Sequence, residues 1–270
     1  MKMNELFPYT LKALAHEMGH DHPQDTRPIW QRRLSTASEF CKALVSCGYL
    51  SLEQMQRAAQ RYRLGTSRDG GVVFWQIDDH EVLHDGKIMH YRPDCHRDHD
   101  RKPSWVCYHL RSKGLLPNDF KPEHCLFGLH LLTEDVRCKT SDASSQTSFI
   151  RPQPSAIAVV EAEKTAVIMS EVKPEYLWLA TGGKTELNVA RLKPLAGHKV
   201  ILFPDTDETG NNYKDWFEVA EAASDVFGHP VTVSSILERM ASPSQKAAKI
   251  DIVDLLFSPS QLTELPTKSH

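Results

Sequence analysis

The chain has 270 residues, 40% of them hydrophobic and 25% charged, a composition that fits a globular protein with a core and excludes wholesale disorder and collagen-like fibres. Its formal net charge of −3 means that any contact with nucleic acid has to be local rather than the work of a strongly basic domain. Six cysteines scattered from Cys41 to Cys138, an early run of polar residues, and the lack of an apolar run of membrane-spanning length predict a cytoplasmic chain with reduced thiols and no membrane contact.

In chain order, the patterns predict helices over Leu6 to Glu17 and over about Ile29 to Cys47, the second carrying Phe40, Leu44 and Val45 at helical spacing before Gly48. A third helix begins at a capping box, Ser51 with Gln54, and runs toward Tyr62 before Gly65. GGVVFWQID then reads as a strand, followed by a second strand over Lys87 to Tyr91 after a turn at Asp85-Gly86. WVCYHL (105–110) fits a third strand of this meander, and CLFGLHLL (125–132) is an apolar segment whose type periodicity leaves open. Basic residues from Arg57 to Lys113 are interleaved with acids such as Asp78, Asp79, Asp98 and Asp100, as on a solvated face.

From Thr133 to Pro154 the text is rich in Ser, Thr, Asp and Pro and reads as a linker. Beyond it, AIAVV, EYLWLA, KVILF and PVTVSSI alternate with helical stretches at EKTAVIMSEV, Leu187 to Leu192 and Tyr213 to Val226, the pattern of a parallel sheet with helices on both faces. The expected layout is a helical cap over 1–50, an α+β region over 51–132, a linker over 133–154, an α/β domain over 155–260 and a tail over 261–270.

Two strands of the α/β domain end in acids. AIAVV runs into Glu161, and KVILF into Pro204, Asp205, Thr206 and Asp207. Functional groups of open parallel sheets gather beyond the carboxyl ends of strands, and carboxylates there suit Mg²⁺ or Mn²⁺ bound with water and substrate phosphates. Any one such acid is more often a helix cap; the three together, with Thr181-Gly182-Gly183 after a further strand, point to phosphodiester chemistry. Lys164 and Lys184 stand beside the acids as contacts for a phosphate or nucleotide.

The runs VVEAEKTA, LATGG and VILFPDTDETG resemble the Toprim domain shared by bacterial-type primases, topoisomerases and some nucleases, over about 155–257. YRLG, GGVVFWQID, DGKIMHY and CLFGLHLL are similar to the segment preceding Toprim in primase-like proteins of phages and mobile elements, which extends the likeness to 51–257. The resemblance implies that Glu161 is a metal ligand or general acid-base group, that Asp205 and Asp207 hold Mg²⁺, and that Asp251 or Asp254 in KIDIVDLL adds an outer or extra metal group. It further implies a primase-like nucleotidyltransferase that uses nucleoside triphosphates on a single-stranded DNA template, guided by basic residues of the first half such as Arg63 and Lys87, beside a helicase or other replication protein. Ala162 stands where the family has a glycine and Thr165 where some primases carry an acid. A Toprim nuclease and a non-catalytic nucleic-acid-binding accessory of a replication or mobile-element complex are the alternatives.

Other motifs compete. HEMGH (16–20) matches the two-histidine zinc helix, but Pro23 breaks the extended pattern and no sheet precedes it. Cys95, His96, His99, Cys107 and His109 include zinc-ligand types without the paired knuckles of a zinc ribbon, so that ordinary packing is the expectation. Trp75, Tyr91 and Trp105 fit base stacking or, more simply, a core.

Overall fold

The structure is a computed structural model that describes residues 34–133 and 154–258. The chain divides into two compact units, Met1–Phe149 and Ile150–His270. The expected helix at Leu6 to Glu17, the HEMGH motif and most of the serine-rich stretch lie outside the described residues.

In the first unit, α1 (Glu39–Ser46) begins where Ser38 Oγ accepts the amide of Cys41, and it buries Phe40, Cys41, Ala43 and Leu44. The helix expected from Ile29 is therefore shorter: Leu34 forms an antiparallel bridge with Gly65, and the extended Ser38 sets the start. α2 (Leu52–Arg61) has the anticipated capping box of Ser51 and Gln54. An antiparallel sheet follows in the order β1 (Gly65–Thr66), β2 (Val72–Ile77), β3 (Leu83–Met89), β4 (Ser104–Trp105).

Every residue of β2 is buried because both of its faces are covered. On one face Phe74 meets Phe40 at 5.5 Å and Phe127 at 5.3 Å between ring centroids, and Tyr62 stacks on Phe127 at 5.0 Å. On the other, Val73, Trp75 and Ile77 pack with Cys107 and Leu110 of α3 (Val106–Ser112) and with Leu116 and Phe120. Each large side chain buried in this way contributes about 1.5–3 kcal/mol.

Two expectations for this sheet are corrected. Asp85-Gly86 is no turn but lies inside β3, opposite Gln76 and Trp75. A Cβ on Gly86 would stand 2.7 Å from the Trp75 ring and 2.9 Å from Val106, so the glycine lets a tryptophan lie across the strand. The reversal sits at Asp78–Val82, where the Asp78 carboxylate accepts the amides of His80 and Val82 and Glu81 takes φ 63°. WVCYHL gives two strand residues and then α3, since Cys107 and Leu110 fall on one helical face above the sheet. CLFGLHLL resolves into a turn at 128–130 with helical residues at 131–133.

The second unit is a parallel sheet in the order β6 (Tyr176–Ala180), β5 (Ala156–Val160), β7 (Val200–Phe203), β8 (Val231–Val233). Its connections carry α4 (Glu163–Val172), α5 (Val189–Leu192) with a 3₁₀ turn at Lys193–Leu195, and α6 (Asn211–Phe227). Three short helices close the described chain: α7 (Ile236–Met240), α8 (Pro243–Ala247) and α9 (Ile252–Leu256). All five residues of the central β5 are buried, as a strand covered on both faces requires. Among the described residues no helix is long and apolar enough to cross a membrane.

Candidate metal and phosphate site

The strand order decides where the second unit can bind. From β5 the chain moves through α4 to β6 on one side, and from β7 through α6 to β8 on the other. The connections diverge between β5 and β7, and a crevice opens past the carboxyl ends of strands at such a switch point. Val160 pairs with Phe203 in the parallel register, so Glu161 and the Pro204-Asp205 step leave the sheet side by side.

Neighbouring loops fix this edge. Thr181 and Gly182, following β6, donate their amides to the carbonyls of Val160 and Glu161, at 3.0 and 2.9 Å. Gly182 has φ 87°, which the loop needs and a glycine supplies without strain. Arg191 donates to the Thr181 carbonyl and pairs with Glu186, tying α5 to the same loop. The Thr206 amide bonds the Ile250 carbonyl at 3.1 Å, which draws Asp251 to the acid edge from far along the chain.

Asp205 is the electrostatic centre. Burial pushes its carboxyl pKa well above the ordinary range, and the charges of Asp251, Glu161 and Asp254 push it further, while Lys164 opposes them. The cluster thus has one acid whose charge is disfavoured first by burial and then by its acidic neighbours, the situation that a bound cation reverses.

Asp207 has another task. Its Oδ1 accepts the Thr209 hydroxyl at 2.7 Å and the amides of Thr209 and Asn211 at 2.8 and 3.2 Å; its Oδ2 accepts the Asn212 amide at 2.8 Å. Burial works to raise its pKa, but these bonds outweigh it and lower the pKa to about 2. It anchors the start of α6, whose N-cap Gly210 has no side chain to do so. The capping role that any single strand-end acid invites is realised here, although Oδ2 retains an accepting lone pair. Asp251 is also a cap: it forms a capping box with Asp254 on α9 and accepts the Thr165 hydroxyl.

Among the described residues no three His, Cys, Asp or Glu side chains form a group that could hold a metal. Mg²⁺ does not need such a cage, since it keeps several waters and binds through one or two carboxylates plus substrate phosphates. The surplus negative charge around Asp205 fits such an ion; the four-bonded Asp207 fits it only through Oδ2.

The cations anticipated as phosphate contacts separate. Lys164, in the first turn of α4, is close enough to act on Asp205, and Lys184 is exposed in the loop after Gly183. In the first unit Arg63 is committed to Glu81 through two bonds of 2.5 and 2.9 Å, and Lys87 is buried within β3. Cys107 belongs to the core, where burial and the Asp85 carboxylate push its thiol pKa up. Cys95 is buried in a tight loop at φ 63°, His96 turns its ring to the Asp94 carbonyl, and His109 bonds Ser104. Trp75 is core and Tyr91 packs on Phe40, whereas Trp105 stacks on His124 at 4.1 Å. Sequence reasoning missed that Asp251 is held by Thr165 and that its neighbour Ile250 is held by Thr206; Thr165 itself, standing where an acid was looked for, was the available signal.

A family model described as Domain of unknown function (DUF6371) matches residues 38–141 and 147–206. The chain belongs to this family. The DUF6371 match includes Glu161, Lys164 and Asp205 and stops short of Asp207 and α9. No curated protein matches the chain. The DUF6371 chain is similar to a solved structure titled "Crystal Structure of the primase fragment of Bacteriophage T7 primase-helicase protein", at 17% identity over 82% of this chain and 76% of that one, with a TM-score of 0.39. A likeness of that size carries no conclusion about activity.

Proposed function

We propose that this DUF6371 protein is a divalent-metal-dependent nucleotidyltransferase of primase-like type, acting with nucleoside triphosphates on a single-stranded DNA template. The observation that carries the proposal is the Asp205 carboxyl at the switch point, its pKa raised by burial and by Asp251, Glu161 and Asp254. A carboxyl whose charge is disfavoured by burial and by neighbouring acids is in the setting that a bound cation relieves. The Toprim-like motifs around these acids support the same reading.

Asp205 and Glu161 are the proposed ligands of Mg²⁺ or Mn²⁺, with Asp207 Oδ2 as a further donor and Asp251 and Asp254 as outer acids. The ion, when bound, supplies positive charge to the attacking and leaving oxygens of phosphoryl transfer. Lys164 offsets the negative potential that a triphosphate would otherwise meet, and Lys184 adds an ammonium on the neighbouring loop. The Thr206–Ile250 and Asp251–Thr165 bonds hold the acids in register, and Asp207 fixes the start of α6 behind them. A helicase or other replication protein is the proposed partner.

A second reading, a non-catalytic accessory of a replication or mobile-element complex, is favoured by the commitment of Asp207 to its helix and by the lack of a three-residue metal group among the described residues. Primer synthesis from labelled nucleotides on single-stranded DNA with Mg²⁺ or Mn²⁺, for the native protein and for Asp205→Asn, tests both. Products that disappear in the variant support the transferase. Loss of template in the same lanes, abolished by the substitution, identifies a nuclease, and no turnover from the native protein leaves the accessory role.

A further inference from the structure

The first unit contains a cavity of about 460 Å³ between the outer face of β2–β3 and α3. Its floor is apolar: Val73, Trp75, Ile88, Val106 and Leu110. Its rim is cationic, with Arg68, Arg101, Lys102 and Lys113. Asp69 is the one carboxylate in the lining, and it pairs with Arg101. Thr66, Ser67 and Ser104 contribute hydroxyls between floor and rim.

We infer that this cavity binds a single nucleotide, its base on the apolar floor and its phosphate at the basic rim. The volume lies in the range of small-ligand pockets, about 300–1,000 Å³, and is too small for a folded partner segment. Ile88 and Val106, the partly exposed members of the floor, present flat aliphatic surface to a planar ring. Four cations against one paired acid favour a ligand with more than one negative charge, which a phosphate carries and a simple carboxylate does not. The Ser104 hydroxyl and the His109 ring, which bond each other at 3.0 Å, add polar groups to the wall. Ring nitrogens and carbonyls of a base accept from a hydroxyl.

The inference concerns the first unit and does not depend on the chemistry proposed for Asp205. It is tested on the full chain in EDTA, which removes divalent ions from the acid edge, by calorimetric titration with adenosine monophosphate, adenosine, inorganic phosphate and oleate. The indole N–H resonance of Trp75, assigned with Trp75→Phe, is followed in parallel. Adenosine monophosphate is expected to bind and to shift that resonance, adenosine and phosphate each to bind at least tenfold more weakly. The double variant Lys102→Glu, Lys113→Glu changes exposed residues, so its melting temperature should match the native one while its affinity for the nucleotide drops at least tenfold; Asp205→Asn should bind as the native chain does. Phosphate binding as tightly as the nucleotide, oleate binding in its place, no binding at all, or an affinity that the charge reversal leaves within twofold would each overturn the inference.

Discussion

The acid edge of the second unit and the basic-rimmed cavity of the first both gather like charges, but by different routes. At the acid edge Glu161 and Asp205 follow directly on neighbouring parallel strands, so two short motifs and one strand order bring them together. At the cavity the cations come from the turn after β1, the loop before β4 and the end of α3, and only the packing of a helix on a sheet face brings them to one rim. Charge that rides on strand ends costs the fold electrostatic energy at a named residue, Asp205, whereas charge on an open rim is relieved by water.

The largest expected effect sharpens that difference. Asp205→Asn should reduce metal-dependent turnover by about 100-fold or more, beyond the roughly 10–100-fold typical of outer-shell changes at metal sites. A carboxyl whose folded pKa is raised penalises the folded state at neutral pH, and the penalty fades as pH falls, so the same substitution should raise the melting temperature in EDTA, by about 2–4 °C for each kcal/mol relieved. A variant that loses activity and also melts lower would break the comparison.

Next in size is the pH dependence of the first unit. Burial, with a smaller contribution from Arg63, lowers the pKa of His130 to about 4, although its bond to the Arg61 carbonyl and the Glu81 charge oppose the shift. The folded state then binds fewer protons than the unfolded one, so this stability is complete above about pH 6.5 and is lost as the pH falls toward 4, by at most on the order of 3 kcal/mol. Urea titrations at pH 7 and pH 4.5, native against His130→Gln, should show the variant much flatter.

Gly86→Ala places a methyl group against Trp75 and Val106 and should cost about 1–3 kcal/mol in thermal melts, with nucleotide affinity falling in step because the cavity floor shifts. Asp207→Ala removes the anchor of α6 and should cost about 0.5–2 kcal/mol even without metal, which separates its capping role from any ligand role.

Much of the second unit was legible because its strands are continuous apolar runs, and a strand buried on both faces has no other way to be written. The placement of Glu161 and Asp205 at one sheet edge was legible for the same reason, since a run that ends in an acid marks its own sheet edge. The commitment of Asp207 was not, because DTDETG reads equally as ligand pair and as helix start; the choice depends on Gly210 leaving the cap to a side chain three residues earlier. In the first unit, Asp85-Gly86 carries a turn signal and is nevertheless strand, because Trp75 needs the space of the missing side chain. Arg63 and Lys87 looked like surface cations, but an ion pair with Glu81 and a place inside a strand are tertiary facts that no local pattern carries.

The bond between Thr165 and Asp251 joins residues 86 positions apart. Such contacts form late, because the long loop they close must be ordered first. A nascent chain that has released residue 233 already holds all four strands of β6-β5-β7-β8, none of whose residues is charged, while Asp251 is still to be synthesised. The order of biosynthesis therefore lets the sheet gather without the full mutual repulsion of its acids, and Asp251 and Asp254 arrive when all four strands are already made.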